Sequence, residues 1–238
     1  MKSQFRIDNI SIEVIRKAIK NVHLSVHPPE GRVTIAAPTH LKLDTIRVFA
    51  VAKIDWIRNQ QKKLLGQERE SSREFLNRES HFVWGERYLM KVIEVDKSPS
   101  LEIKNKQLVF RVRSGWGQVD KQAFLDGWYR ELVKKSAEDL LPKWEKKLGV
   151  EVCRLFVQRM KTKWGSCNSK TASIRLNSDL AKKPRECLEY IVVHEMAHIL
   201  EPTHNQRFIK IMDANIPKWK SHQQLLNSLP VKHENWDY

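Results

Sequence analysis

The sequence predicts an α+β protein: a β-rich part with one amphipathic helix over residues 1–115, then a helix-rich part over residues 116–238. Three observations carry this division. Val22, Leu24 and Val26 alternate with polar residues, as do Val33 and Ile35, which is the period of half-buried strands. After Gly115 and Gly117 the apolar residues move to helical spacing, with Leu125, Trp128, Leu132, Leu140, Leu141 and Trp144 forming a stripe. Finally, the run from Ile191 to Leu200 is apolar except for His194, Glu195 and His198.

Each element has a local reason. Pro28-Pro29-Glu30-Gly31 is a turn between two strands, and Pro38 stops the second. From Leu43 to Leu65, Ile46, Phe49, Ala50, Ile54 and Ile57 recur as on one helix face, with Lys and Arg outside. The polar run from Gly66 to Ser80 reads as a helix end and linker, or as an exposed helical extension. Strands resume at Phe82–Trp84, Tyr88–Val95, Leu101–Ile103 and Leu108–Val112, with Asn105-Lys106 as a hairpin tip. Pro142 is expected to kink the following helix or start a second one, and Gly149 to end it. Glu151–Val157 and Ser173–Leu176 suit strands, with a loop from Lys161 to Lys170 between them in which Gly165 permits a tight turn. Pro184 favours a helix start, and Phe208, Ile211 and Met212, then Trp219, Leu225, Leu226 and Leu229, continue the helical pattern.

Composition bounds the function. A net charge of +15 predicts attraction to polyanions or anionic substrates. From Gln158 to Arg185 there are eight Lys or Arg and one Asp, a basic stretch just before the His194 helix. The start, Met1-Lys2-Ser3-Gln4-Phe5-Arg6, lacks the apolar core of a signal peptide, and no run of apolar residues is long enough for a membrane span, so a cytoplasmic protein is expected. Cys153, Cys167 and Cys187 lack a CxxC pair and are expected as reduced thiols.

The chemistry concentrates in His194-Glu195-Met196-Ala197-His198 and in His204. Residues four apart share a helix face, so His194 and His198 can aim imidazole nitrogens at one ion, and zinc is the ion expected. Glu195, one step round the helix, is placed to take a proton from an attacking water, as a base and not a ligand. Pro202 cannot continue the helix, and the chain turn at Glu201-Pro202 offers His204 a route back as third ligand. Three ligands and an open position make the catalytic zinc pattern. Asp213 is the runner-up third ligand. The His198-to-His204 spacing equals that of the metzincins, but Glu201 stands where they carry a glycine. His23, His27, His40 and His81 have no ligand spacing.

The run Met160-Lys161-Thr162-Lys163-Trp164-Gly165-Ser166-Cys167, then Ile174-Arg175-Leu176-Asn177, the HEMAH helix and Thr203-His204-Asn205 together resemble the YgjP-like family of zinc-dependent metallopeptidases, itself similar to SprT-type proteases. The resemblance implies a zincin-type fold and a hydrolytic zinc, and it supports His194, His198 and His204 as the metal set.

The expected function is therefore zinc-dependent hydrolysis of peptide bonds, with a polypeptide substrate that could add as a strand at an edge around Ile174 to Asn177. Two alternatives stand beside it. One is hydrolysis of a nucleoside triphosphate, with Lys161 and Lys163 holding phosphates. The other is a basic nucleic-acid-associated module, which leaves Glu195 without a role. Cys167 as a nucleophile is disfavoured, since no histidine stands at a telling spacing.

Overall fold

The computed structural model describes residues 2–27, 31–66, 69–70, 74–160, 163–228 and 231–232. Contacts divide the chain into Met1–Ser71 with Pro230–Tyr238, and Ser72–Leu229. The first unit holds β1 (Lys2–Ile7), β2 (Ile10–Lys17), β3 (His23–His27), β4 (Arg32–Pro38), α1 (Leu43–Ala52), α2 (Ile54–Gly66) and the short β5 (Arg69–Glu70), which pairs in parallel with Val231–Lys232. Its sheet order is β1-β2-β4-β3, with β2 and β4 parallel and the outer pairs antiparallel. Alternation buries one face: Ile12 aligns with Val33 and Val14 with Ile35, and all four are buried. Ile46 and Ala50 of α1 and Ile57 of α2 complete that core. The expected single helix over Leu43–Leu65 is two helices, parted at Lys53.

The second unit begins with β6 (Ser80–Val83), β7 (Glu86–Val95), β8 (Ser100–Lys104) and β9 (Gln107–Arg113). Their order is β6-β7-β9-β8, again with the central pair parallel and the outer pairs antiparallel. The two units thus repeat one strand plan, each followed by helix. At the β8–β9 tip, Asn105 and Lys106 have φ of 48° and 59°, the left-handed pair a two-residue hairpin turn needs.

Next comes α3 (Gln118–Leu148), one continuous helix that carries Pro142 inside it and ends on Gly149 at φ 66°. No second helix starts at Pro142. Its buried stripe, Leu125, Tyr129, Val133 and Ala137, recurs every four residues. These residues share one core with Val83, Met90, Leu108, Phe110 and Val112 of the preceding sheet, and the Tyr129 hydroxyl donates to the Phe82 carbonyl at 2.9 Å. That shared core is why the division falls near Ser71 and not after residue 115: the sheet over 80–113 has its apolar face in the second unit.

Strands β10 (Arg154–Gln158), β11 (Gly165–Asn168) and β12 (Ser173–Asn177) form a sheet in the order β10-β12-β11. β12 is central, parallel to β10 and antiparallel to β11, so the strand edge expected at Ile174 to Asn177 is not an edge. The outer strands are β10 and β11, and β11 falls inside the stretch expected as a loop. A 3-10 turn, Ser178–Lys182, leads into α4 (Arg185–Leu200), followed by α5 (Gln206–Asn215) and α6 (Trp219–Ser228); β13 is the Val231–Lys232 strand already described. Leu229 and the Pro28–Glu30 turn fall outside the described residues. α4 is buried almost all round, from Cys187 to Ala197. No helix among the described residues is long and apolar enough to cross a membrane.

Candidate metal centre

Three elements bring the histidines together. α4 presents His194 and His198 on one face, with ring centroids 4.9 Å apart. The helix ends at Leu200, and Glu201 leaves it with extended backbone, as Pro202 dictates. His204 then precedes Asn205, whose side chain accepts from the N–H groups of Arg207 and Phe208 and so caps α5. The cap fixes where α5 begins and so where His204 stands. Its ring centroid lies 5.0 Å from that of His194 and 4.7 Å from that of His198. Phe208, the first buried residue of α5, touches all three rings with centroids 4.7 to 5.0 Å away.

The donor set fits a metal ion. One nitrogen from each of His194, His198 and His204 lies within 4.8 Å of the others. Nδ1 of His198 faces the Glu201 carbonyl at 3.0 Å, so it carries the proton and leaves Nε2 with a lone pair. Nε2 of His194 and Nε2 of His204 approach to 3.1 Å. Burial, helped by His198 and His204, pushes the His194 imidazole down to about 4, so it is neutral at pH 7 and able to ligate. Asp213, the runner-up ligand, is elsewhere: its Oδ1 accepts from the Trp219 indole N–H at 2.8 Å. His23, His27, His40 and His81 are not in the cluster.

Glu195 is 5 % exposed and points from α4 towards β11. Burial raises its carboxyl to about 8, with the Lys163 charge acting the other way. Gly165 makes room for it. A β-carbon at Gly165 would stand 2.6 Å from Glu195 Oε1, so that position is glycine for close approach, not for a turn. Cys167 stands two residues further on the same strand, its thiol pushed up to about 11 by burial and by Glu195, the opposite of an activated nucleophile.

The basic stretch is only partly a solvated face. Lys182 and Lys183 are buried, Lys182 with Asp179 at 3.0 Å and over the Tyr129 ring, Lys183 over the Trp164 ring. These lysines serve packing through their stems and aromatic contacts. Lys161 lies outside the described residues. A cavity of about 440 Å³ opens beside Glu195 and His194, and most of its lining is apolar.

Sequence alone offers Gly165 only as a turn residue and Phe208 only as helix packing, and it does not show the pairing of Asp213 with Trp219. Only Asn205 carried a signal, an Asn just before the apolar helix residues.

Three histidines converging beside a buried HExxH glutamate make a site of the metallopeptidase class. The chain belongs to the YgjP-like family: the family's model, described as YgjP-like, metallopeptidase domain, matches residues 20–229. Among solved structures it is similar to the zymogen of abylysin, a metallopeptidase of Pyrococcus abyssi, at 23% identity over 40% of this chain and 99% of that one, with a TM-score of 0.35. It is also similar to the zymogen of jannalysin, a metallopeptidase of Methanocaldococcus jannaschii, at 23% identity over 38% of this chain and 92% of that one, with a TM-score of 0.34. No curated protein matches the chain in sequence.

Proposed function

We propose that this chain is a zinc-dependent peptidase in which His194, His198 and His204 hold the ion and Glu195 is the general base. The observation that carries it is the convergence of three imidazoles at one point, with Glu195 buried next to them. An all-nitrogen set of three suits zinc with an open position. When bound, zinc supplies Lewis acidity, polarising the scissile carbonyl and easing loss of a proton from water.

The chain's own groups do the rest. The Glu201 carbonyl holds His198 in one tautomer. Glu195 takes the proton from the attacking water at a carboxylate oxygen and returns it to the departing amine nitrogen. A cation at the histidine cluster favours the ionised carboxylate, against the effect of burial. The outer edge of β11 runs beside Glu195 and can receive an extended peptide through backbone hydrogen bonds. The apolar cavity suits a side chain better than phosphates, which weighs against nucleotide hydrolysis even though Lys163 stands at its lining.

The test is to offer unfolded polypeptide and nucleoside triphosphates to the zinc-loaded chain and to Glu195→Gln, with products identified by mass. Peptide fragments are expected from the former, and a roughly 10²- to 10⁴-fold slower reaction from the variant with its zinc retained. Glu195-dependent phosphate release without peptide cleavage would replace the peptidase assignment.

A further inference from the structure

We propose that the cavity beside Glu195 is a specificity pocket for a large apolar side chain, aromatic or long aliphatic, on the residue flanking the scissile bond, with Trp219 as its determining wall. This rests on the peptidase assignment above.

The pocket is in the right place. His194 and Glu195 are part of its lining, so a side chain entering it belongs to a residue close to the bond under attack. Its walls are Trp164 before β11, Tyr190 and Ile191 of α4, Phe208 of α5, and Trp219 and Leu226 of α6. At about 440 Å³ it has the size of a ligand site.

Its shape is held from several sides. The Trp219 indole donates its N–H to Asp213 at 2.8 Å, which takes up the one polar group of that ring. The same indole stacks on Tyr190 with centroids 6.5 Å apart and planes 15° from parallel. Gln223 stands beside the Tyr190 side chain and also lines the pocket. Tyr190 sits one turn before His194 and meets it edge to face at 5.7 Å. The aromatic wall is therefore registered to the helix that carries the histidines, and little ordering remains to be done on binding.

The chemistry selects the side chain. Among the described residues, and apart from the histidines, the ionisable groups on the lining are Glu195, Tyr190 and Lys163, and Glu195 is engaged as the base. A Lys or Arg side chain would find no second carboxylate there, because Asp213 is spent on Trp219. An Asp or Glu side chain would lose water against an apolar wall. A Phe, Tyr, Trp, Leu or Met side chain loses nothing and gains burial, enough for about ten- to hundredfold discrimination over Ala.

The experiment uses the full zinc-loaded chain. A peptide library randomised around a central position is digested and the cleavage sites are read by mass spectrometry for wild type, Trp219→Ala and Gln223→Trp. In parallel, binding of phenylalanine hydroxamate and glycine hydroxamate is measured by tryptophan fluorescence on zinc-loaded Glu195→Gln, a readout that needs no turnover. The expected result is cleavage flanked by large apolar residues and at least tenfold tighter binding of the phenylalanine compound. Trp219→Ala should bring both preferences towards one. Gln223→Trp, an exposed substitution that keeps the core intact, should narrow the pocket and shift preference to Ala and Val. Cleavage without apolar preference, or equal binding of the two hydroxamates, overturns the pocket and leaves the peptidase standing. Failure to bind zinc, or zinc binding with neither cleavage nor hydroxamate binding, overturns the peptidase assignment and the pocket with it.

Discussion

Gly165 and Glu195 are in such close register that a β-carbon at 165 would lie 2.6 Å from Oε1, 2.8 Å from Cγ and 2.9 Å from Cδ of the glutamate. The contact reaches Cγ, near the root of the side chain, so turning the carboxylate does not relieve it. β11 cannot withdraw freely either, because Gly165 pairs with Leu176 of the central strand. The strand and the helix therefore fix the base between them.

Gly165→Ala should accordingly displace Glu195 while sparing the histidines. An ångström of misplacement at a reacting group costs on the order of 10²-fold in rate. We expect kcat to fall by about that factor with zinc stoichiometry and secondary structure unchanged, measured by steady-state kinetics and metal analysis. Unchanged turnover would mean that the base lies elsewhere.

The ligand set makes a separate prediction. His204→Ala should weaken zinc binding by more than the roughly 10- to 100-fold typical of losing an outer-shell partner. Asp213→Ala should leave zinc affinity near wild type, since that carboxylate is bonded to Trp219. Competition with a chromogenic chelator reads both. Loss of zinc in the Asp213 variant alone would exchange the two assignments.

The metal helix was legible because its signal is local: two histidines four apart, and a proline that ends the helix before the third. The strands at 23–27 and 32–38 and the Asn105-Lys106 tip were legible for the same reason. β1 and β2 are less legible, although Ile12 and Val14 alternate with polar neighbours. β11 was invisible, since Gly165-Ser166-Cys167-Asn168 has neither alternation nor β-branched residues, and only pairing with β12 makes it a strand. That pairing also makes Ile174 to Asn177 a central strand and not an edge. Pro142 stayed within a helix because 31 residues of it are anchored by a buried stripe that outweighs one lost hydrogen bond. The close approach of Gly165 to α4 is a tertiary fact, and no local pattern encodes it.

Thiol chemistry tests the setting of β11 independently. Burial pushes both Cys167 and Cys187 up to about 11, so at pH 8 only about one thiol in a thousand is the reactive thiolate. Because the shift is upward, reactivity should grow about tenfold per pH unit until the folded pKa is reached. Cys153 is exposed. Iodoacetamide at pH 8 should therefore modify Cys153 first, with Cys167 and Cys187 protected until denaturant is added, as read by peptide mapping. Rapid labelling of Cys167 in the folded protein would return that thiol to consideration as a reactive group.

Asn177 should prove the structural clamp of the site. It ends β12, is 4 % exposed, and its backbone N–H donates to the Trp164 carbonyl at 2.9 Å. Its Nδ2 donates to the carbonyls of Met160 at 2.8 Å and Lys163 at 2.9 Å, and its Oδ1 accepts from the N–H of Asp179 at 3.1 Å. One side chain thus ties together both ends of the segment that delivers Lys163, Trp164 and Gly165 to the cavity. Asn177→Ala leaves two carbonyls and two N–H groups, those of Asp179 and, at 3.4 Å, Met160, without that partner, a cost of about 1–3 kcal/mol. Asn177→Asp keeps the shape but sets carboxylate oxygen against the same two carbonyls, so it should be at least as destabilising. Urea unfolding should show a lower midpoint at unchanged slope for both. Activity of the folded fraction should also fall, because Gly165 then loses its register with Glu195. A stability change within about 0.5 kcal/mol, the range of an ordinary surface substitution, would show that the segment is held without Asn177.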